Sequence, residues 1–317
     1  MDVRESPVRT DAVQGFPFPV VCPACWCRLA PEAEGAACAR CGRRFGYRGP
    51  SLDLVVGERF EDRTDEAQML YEEQSNADLT RDYLIPLFRR LWPSRSPAPR
   101  LLSLGCGTGS DVDLLCEEGY DCVGVDCGNR AAAWSRRRHP ERLLMADGRH
   151  LPFEDATFDG IFCGCVFPHV GVVGDSYRVT SRFREDRLAL GRELSRVAKP
   201  GGRIVVSSPN RRFPLDIFHG RAPGSYRPRP YWPGDPFLLS VADYRSLFER
   251  CGCRAVSAQP VEGYWSFRRS RRSWKGRALG WPLRLLFWLL SRESLRGLRG
   301  SPADPWLVLL VEKGAST

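Results

Sequence analysis

Leu101-Leu102-Ser103-Leu104-Gly105-Cys106-Gly107-Thr108-Gly109 stands a third of the way along a chain of 317 residues. Its first four residues have the apolar character of a buried strand. Glycine then takes every second position, and Val112, Leu114 and Leu115 carry the period of a helix behind it. Glycines at such a turn let the backbone approach a ligand and leave helix N–H groups beside it.

The loop alone fits NAD, FAD, S-adenosylmethionine or a plain strand–helix turn. Its surroundings narrow the choice. The next strand, Cys122-Val123-Gly124-Val125, ends in Asp126, 17 residues beyond Gly109. An acid at that strand tip can accept both ribose hydroxyls of a nucleoside. A third strand ends in Asp147-Gly148, where a second carboxylate can meet an adenine amino group. A dinucleotide frame asks for G-x-G-x-x-G, and Ser110 occupies its last glycine position. No G-x-x-x-x-G-K-[ST] occurs, so a P-loop is excluded.

Outward from the loop, short apolar strands alternate with helices, the pattern of a doubly wound α/β sheet. Strands are predicted at Arg100–Leu104, Asp121–Asp126, Leu143–Met145, Phe158–Cys163, Arg203–Ser207, Arg254–Ser257 and Trp306–Glu312. Helices are predicted at Asp111–Glu118, Arg184–Val197 and Ala242–Cys251, and a further helical stretch over Phe60–Trp92. Pro93 to Pro99 reads as a Pro/Ser linker.

Four stretches in one order resemble a class I S-adenosylmethionine-dependent methyltransferase with a type 11-like domain. They are Leu104–Gly109, Val123–Asp126, Ala146–Asp159 and Glu193–Arg203, the last containing the turn Lys199-Pro200-Gly201-Gly202. The resemblance covers about half the chain. It implies a Rossmann-like seven-stranded sheet with the last strand antiparallel. It also implies S-adenosyl-L-methionine as cofactor, held by Gly105, Gly107, Gly109, Asp126, Asp147 and Gly148.

Near the N-terminus, Cys22-Pro23-Ala24-Cys25 and Cys38-Ala39-Arg40-Cys41 are separated by twelve residues. Two residues between cysteines let one tight turn aim both thiolates at a single ion, and two such turns close a tetrahedral Zn²⁺ site. Four thiolates leave no open position, so the ion expected at Cys22, Cys25, Cys38 and Cys41 is structural. A segment this short has little core of its own and depends on the metal for stability. It resembles the zinc-ribbon module found at the start of some methyltransferases. The chain thus divides into a flexible tail (1–19), a zinc ribbon (20–57), a helical connector and linker (58–99), and a methyltransferase domain (100–317). That domain carries insertions at 208–240, a substrate lid, and at 259–305.

Methyl transfer from a sulfonium is an in-line displacement in which the cofactor carries the activation and the protein supplies position. A hydroxyl acceptor benefits from a base. His169, after the fourth strand, is one candidate, and its alternative is a packing histidine. Asp216 and His219 form a second candidate pair, whose alternative is to pin a loop. Asn210 is placed to reach a substrate. Cys163 and Cys165 read as small buried thiols. No [DN]-P-P-[YFW] occurs, which weakens amino-nitrogen methylation.

The net charge is +9, from 47 Lys+Arg against 38 acids. Residues 265–300 alone hold ten basic side chains and one acidic. There Arg268-Arg269-Ser270-Arg271-Arg272-Ser273-Trp274-Lys275 precedes a Trp/Leu-rich helix. Such a segment suits an anionic membrane surface, a phosphate backbone, or packing on the enzyme with a solvated arginine fringe. Its density of large apolar residues puts RNA behind the other two. No basic start followed by an apolar run is visible, so a cytoplasmic protein is expected, peripheral at the membrane if the segment binds there. The expected activity is O- or C-methylation of a small or lipid-like molecule. An RNA base methyltransferase of the ribosomal guanine type is the rival enzyme. A non-catalytic scaffold that binds a protein through its zinc ribbon is the rival outside catalysis.

Overall fold

The computed structural model describes residues 15–57, 59–60, 65–94, 96–174, 176–216, 218–219, 229–232, 234–265 and 274–314. Around the two cysteine pairs lie four short antiparallel strands: β1 (Ala30–Glu32), β2 (Gly35–Ala37), β3 (Arg44–Arg48) and β4 (Ser51–Leu52). Helix α1 (Glu66–Leu79) starts where the Asp65 side chain accepts from the Gln68 N–H. A π-helical stretch, Thr80–Leu84, joins it to α2 (Ile85–Leu91).

The main sheet uses β5 (Arg100–Leu104), β6 (Asp121–Asp126), β7 (Leu143–Met145), β8 (Phe158–Gly164) and β9 (Ala198–Pro209). Helices α3 (Ser110–Glu117) and α4 (Phe183–Val197) form crossovers between them. A two-stranded hairpin follows, β10 (Leu215–Asp216) with β11 (Arg229–Pro230). Then come α5 (Val241–Glu249), β12 (Cys253–Ala258), α6 (Trp274–Leu290) and β13 (Trp306–Lys313). The sheet order is β12-β13-β9-β8-β5-β6-β7, with β13 antiparallel to both of its neighbours. Each of the seven predicted strands lies in this sheet, and β9 runs longer at both ends than expected.

The sheet is buried on both faces, and successive residues serve opposite ones. Leu102, Leu104, Val123, Val125, Ile161 and Ile204 share a core with Leu190 and Leu194 of α4 and Phe248 of α5. Leu101, Cys122, Phe162 and Val205 pack instead with Leu84 and Phe88, Val112 of α3, and Phe287 of α6. The result is a three-layer α/β/α domain whose strand order reverses between β5 and β8. In such sheets ligands sit beyond the carboxyl ends of the strands at that reversal.

Two expectations need correction. The flexible tail does not reach residue 19: Phe16 and Phe18 are 3% and 1% exposed. Phe16 stacks on Phe153, and Phe18 meets Phe158 edge-on. Nor is the stretch before the linker a mere connector, since Tyr83, Leu84, Leu87 and Phe88 belong to the core of the sheet. The four-stranded ribbon likewise docks on the domain. Val21 N–H donates to Pro152 O at 3.0 Å, and Leu54 N–H to Met145 O at 2.7 Å. The second bond covers β7, a three-residue edge strand that would otherwise expose unpaired backbone groups.

The basic run Arg268–Ser273 and residues 220–228 of the lid insertion lie outside the described residues. No helix among the described residues is long and apolar enough to cross a membrane.

Candidate functional site

At the carboxyl end of β5 the chain turns through Gly105, Gly107 and Gly109, with φ of +73°, +55° and +76°. These are left-handed conformations that favour glycine. A Cβ built on Gly105 would lie 2.3 Å from Val166 Cγ2, so the loop also has no room for a side chain. Gly105 and Cys106 donate their N–H groups to Val125 O, at 2.8 and 3.2 Å. Asp126 completes the cradle. Its Oδ2 accepts from Gly107 N at 2.9 Å and its Oδ1 from Gly128 N at 2.8 Å. The buried Trp134 donates its ring N–H to Gly107 O at 2.8 Å.

Two buried polar atoms of this loop have no partner among the described residues: Thr108 Oγ1 and Asp111 Oδ1. Burial pushes the Asp111 carboxyl up to about 6, while its other oxygen accepts from Ser103 Oγ. An open backbone cradle, a strand-tip carboxylate and an orphaned hydroxyl fit a polar nucleoside-bearing ligand.

Asp147 is arranged differently from Asp126. Arg149 grips both of its oxygens, Nη2 to Oδ2 at 2.6 Å and Nε to Oδ1 at 3.1 Å. Arg149 also reaches Asp186 at 3.2 Å. The missing side chain of Gly148 faces the core, where a Cβ would lie 2.9 Å from Leu190 Cδ1.

Helix α1 lies against this loop. Arg130 bonds Glu72, with Nη2 to Oε1 at 3.0 Å, and Arg137 bonds Glu73 at 2.6 Å. Ser110 Oγ donates to Glu73 O at 3.3 Å. These partners stand more than 35 residues apart in sequence, and no local period announces them. A cavity of about 420 Å³ beside α1 and α3 is lined by Glu73, Ser110, Asp113 and Arg137 among others. None of Gly105, Gly107, Asp126 or Asp147 lines it, so it is a separate place from the cradle.

The neighbouring strand, β8, ends on the other side of the reversal. Cys165 follows it with φ of +57°, a left-handed backbone on a non-glycine residue. One turn later His169 Nε2 lies 3.0 Å from His219 Nε2. His219 Nδ1 lies 3.1 Å from Asp216 Oδ2. Asp216 Oδ1 accepts from the backbone of Phe218 and His219, at 3.1 and 3.0 Å. Arg229 approaches Asp216 Oδ2 at 3.3 Å. Burial works to raise Asp216, yet the His219 ring and these backbone donors hold it down at about 2. An ionised carboxylate only accepts, so the Nδ1 of His219 carries the proton and its Nε2 is a bare acceptor. Burial drives His169 well below the usual histidine range, and lowers His219 against the pull of Asp216.

The sequence proposed His169 and the Asp216–His219 pair as separate candidates; the fold brings all three together. Rings of Phe237, Tyr177 and Phe218 stand around the pair. Arg187 of α4 fixes the frame by donating to Pro168 O and Phe237 O, at 3.2 and 2.8 Å. Asn210 does not face this site. Its amide donates to Ser301 O and Asp304 O, at 2.9 and 2.8 Å, and its oxygen accepts from Arg212 N. It ties the carboxyl end of β9 to the turn before β13 instead of meeting a substrate. Sequence reasoning passed over Arg187, and set Cys165 aside as a buried strand thiol. The one local signal for Cys165 was its C-x3-H spacing to His169.

At the N-terminal module the four cysteines converge, with all four sulfurs within 4.8 Å of one another. Cys22 and Cys41 lie 3.7 Å apart, Cys25 and Cys38 3.4 Å. The Cys41 N–H directed at the Cys38 sulfur lowers that thiol to about 6. Such a donor set could hold a tetrahedral ion.

The family model described as Methyltransferase domain matches residues 102–206. Over 223 residues the chain is 29% identical to the demethylmenaquinone methyltransferase of Beutenbergia cavernae, covering 67% of this chain and 78% of that protein. It is 28% identical over 243 residues to the Streptomyces griseus protein of the same name, covering 74% and 90%. Among solved structures, phosphoethanolamine N-methyltransferase 2 of Haemonchus contortus aligns with a TM-score of 0.48 at 16% identity, covering 80% of this chain and 59% of that one. Residues 102–206 thus match a methyltransferase domain, in a chain similar over two thirds of its length to methyltransferases.

Proposed function

We propose that the protein methylates an oxygen or carbon atom of a small, lipid-like ring compound, with quinols of the menaquinone type as the first class to try. The observation that carries this is the Asp216–His219–His169 array among aromatic rings, across the strand reversal from the glycine cradle. The named activity of the Beutenbergia and Streptomyces relatives points to the same substrate class.

In this reading Gly105, Gly107 and Gly109 admit the cofactor against bare backbone, Asp126 takes its ribose hydroxyls, and Asp147 and Gly148 border its adenine. When bound, the cofactor supplies a methyl group already activated on a sulfonium. The chain does the rest. Asp216 fixes the His219 tautomer, and the His219–His169 pair, joined Nε2 to Nε2, takes up the proton of the acceptor hydroxyl. The surrounding Tyr177, Phe218 and Phe237 rings exclude water.

Cys22, Cys25, Cys38 and Cys41 hold a structural Zn²⁺ that closes the ribbon. Helix α6 brings the protein to anionic membrane, where a lipid-like substrate resides. Trp274, Trp281 and Trp288 recur every seven residues and are exposed, beside Leu285 and Leu289. A stripe of that kind seats at a lipid interface.

The test is transfer of labelled methyl from S-adenosylmethionine to a reduced demethylated menaquinone analogue in anionic vesicles, beside ribosomal RNA. Label in the quinol supports the reading. Label in RNA alone would favour the nucleic-acid enzyme, and label in neither, by protein that binds the cofactor, would remove quinols from consideration.

A further inference from the structure

Cys165, His169 and His219 each offer one ligand atom, and the three atoms lie within 4.8 Å of one another. The two histidines present Nε2 to Nε2 at 3.0 Å, and Cys165 Sγ lies 3.8 Å from His219 Nε2. Zn–N bonds of about 2.05 Å and a Zn–S bond of about 2.3 Å in a tetrahedron set N···N near ~3.3 Å and N···S near ~3.6 Å. A four-thiolate zinc sets S···S near ~3.8 Å. The N-terminal quartet has 3.7 and 3.4 Å. The His169–His219 and Cys165–His219 distances therefore lie about 0.3 and 0.2 Å from tetrahedral spacing, as close as the two cysteine pairs.

Three other features suit an ion. Asp216 holds the far nitrogen of His219, the carboxylate–histidine arrangement that fixes a metal-binding tautomer. Left-handed backbone at Cys165 places the thiol beyond the strand end, and such outliers persist where a site over-determines them. The three ligands come from the end of β8, the turn after it and the β10–β11 insertion. One ion would therefore tie the insertion to the sheet edge.

We propose that Cys165, His169 and His219 form a second zinc-class site, with three protein ligands and a fourth position for the heteroatom of the methyl acceptor. Three ligands with one vacancy is the pattern of catalytic zinc, whereas the cysteine quartet is closed. Cys165 and His169 are only half-buried, which leaves the cluster accessible to a fourth ligand. The inference rests on the acceptor-side placement proposed above and replaces its proton step, since a ring nitrogen bound to an ion is no longer a base. With the ion in place, the acceptor O–H binds through its lone pair and releases its proton to solvent. The heteroatom then forms a bond to the methyl carbon as the carbon–sulfur bond breaks, and the electron pair of that bond stays on sulfur.

The experiment is metal analysis of the full chain purified without chelator, with Cys165→Ser, His219→Asn and a Cys22→Ser/Cys25→Ser double variant. Two zinc ions per wild-type chain are expected, and one in each variant whose circular dichroism matches wild type. A single ion, lost only in the double variant, would overturn the proposal. Since the double variant can fail to fold, wild type refilled with Co²⁺ gives an independent readout. A tetrahedral spectrum of one thiolate and two imidazoles, beside the four-thiolate spectrum, is expected; four-thiolate bands alone would contradict it. Two ions with no transfer to quinols would leave the site standing and remove the substrate class. One ion with brisk transfer would do the reverse.

Discussion

The two halves of the cleft are built in opposite ways. On the side proposed for the cofactor, backbone predominates: three left-handed glycines, and the N–H groups of Gly107 and Gly128 that hold one strand-tip carboxylate. On the side proposed for the acceptor the candidate groups are side chains, and they come from segments some fifty residues apart. A backbone site tolerates little added volume, because there is nothing to rotate out of the way. A side-chain site tolerates volume but depends on each partner that orients the next. The two halves should therefore fail differently.

Asp216→Asn should have the largest effect on turnover. It removes the group that sets the His219 tautomer, and kcat is expected to fall by roughly 10²–10⁴. Cofactor affinity should stay within about twofold, measured by calorimetry. A parallel loss of affinity would break the distinction between the halves. Gly105→Ala should do the reverse. The left-handed backbone and the contact at Val166 together should weaken cofactor binding by at least ~100-fold, about 2.7 kcal/mol. Binding within threefold of wild type would mean that neither the backbone at Gly105 nor its contact with Val166 shapes the cofactor site.

Phe18→Ala asks whether the N-terminal module is part of the domain. Removing a buried phenylalanine costs about 3–4 kcal/mol, read from urea unfolding. A change below about 1 kcal/mol would restore the tail as a loose appendage. Asp111 supplies a pH test of the cradle. Its folded pKa of about 6 lies above the unfolded value, so the protonated form is the one that folding favours. Its contribution is fully present below about pH 4 and is lost as the pH rises through 6, on the order of 2–3 kcal/mol in all. Between pH 4 and pH 7 wild type should thus lose stability relative to Asp111→Asn. Parallel pH profiles would contradict that. Smallest is Trp281→Ser, which should lower sedimentation with anionic vesicles several-fold, on the order of 1 kcal/mol, with no change in unfolding midpoint.

The same contrast explains what the sequence disclosed. The sheet was legible because each strand carries its own signal. Leu101–Leu104 and Val123–Val125 are buried on both faces and read as continuous apolar runs. The glycine loop and Asp126 follow at fixed local offsets. The acceptor side has no such offsets. His169, Asp216 and His219 could be nominated by residue type, but their contact depends on the β10–β11 insertion folding back over β8. Phe16 and Phe18 looked like tail because their partners, Phe153 and Phe158, lie more than 130 residues away. Asn210 sat at a strand tip, as a substrate contact would. Only the return of the chain at Ser301 and Asp304 reveals that its amide is already engaged.

The central claim is that one S-adenosylmethionine molecule binds the backbone cradle and the acceptor array acts on it from across the cleft. It is tested most directly by calorimetric titration of S-adenosylmethionine into wild type, Asp126→Ala and Asp216→Asn. The account predicts micromolar binding by wild type, binding abolished in Asp126→Ala, and near-wild-type affinity in Asp216→Asn. Equal binding by Asp126→Ala, or none by folded wild type, would contradict it.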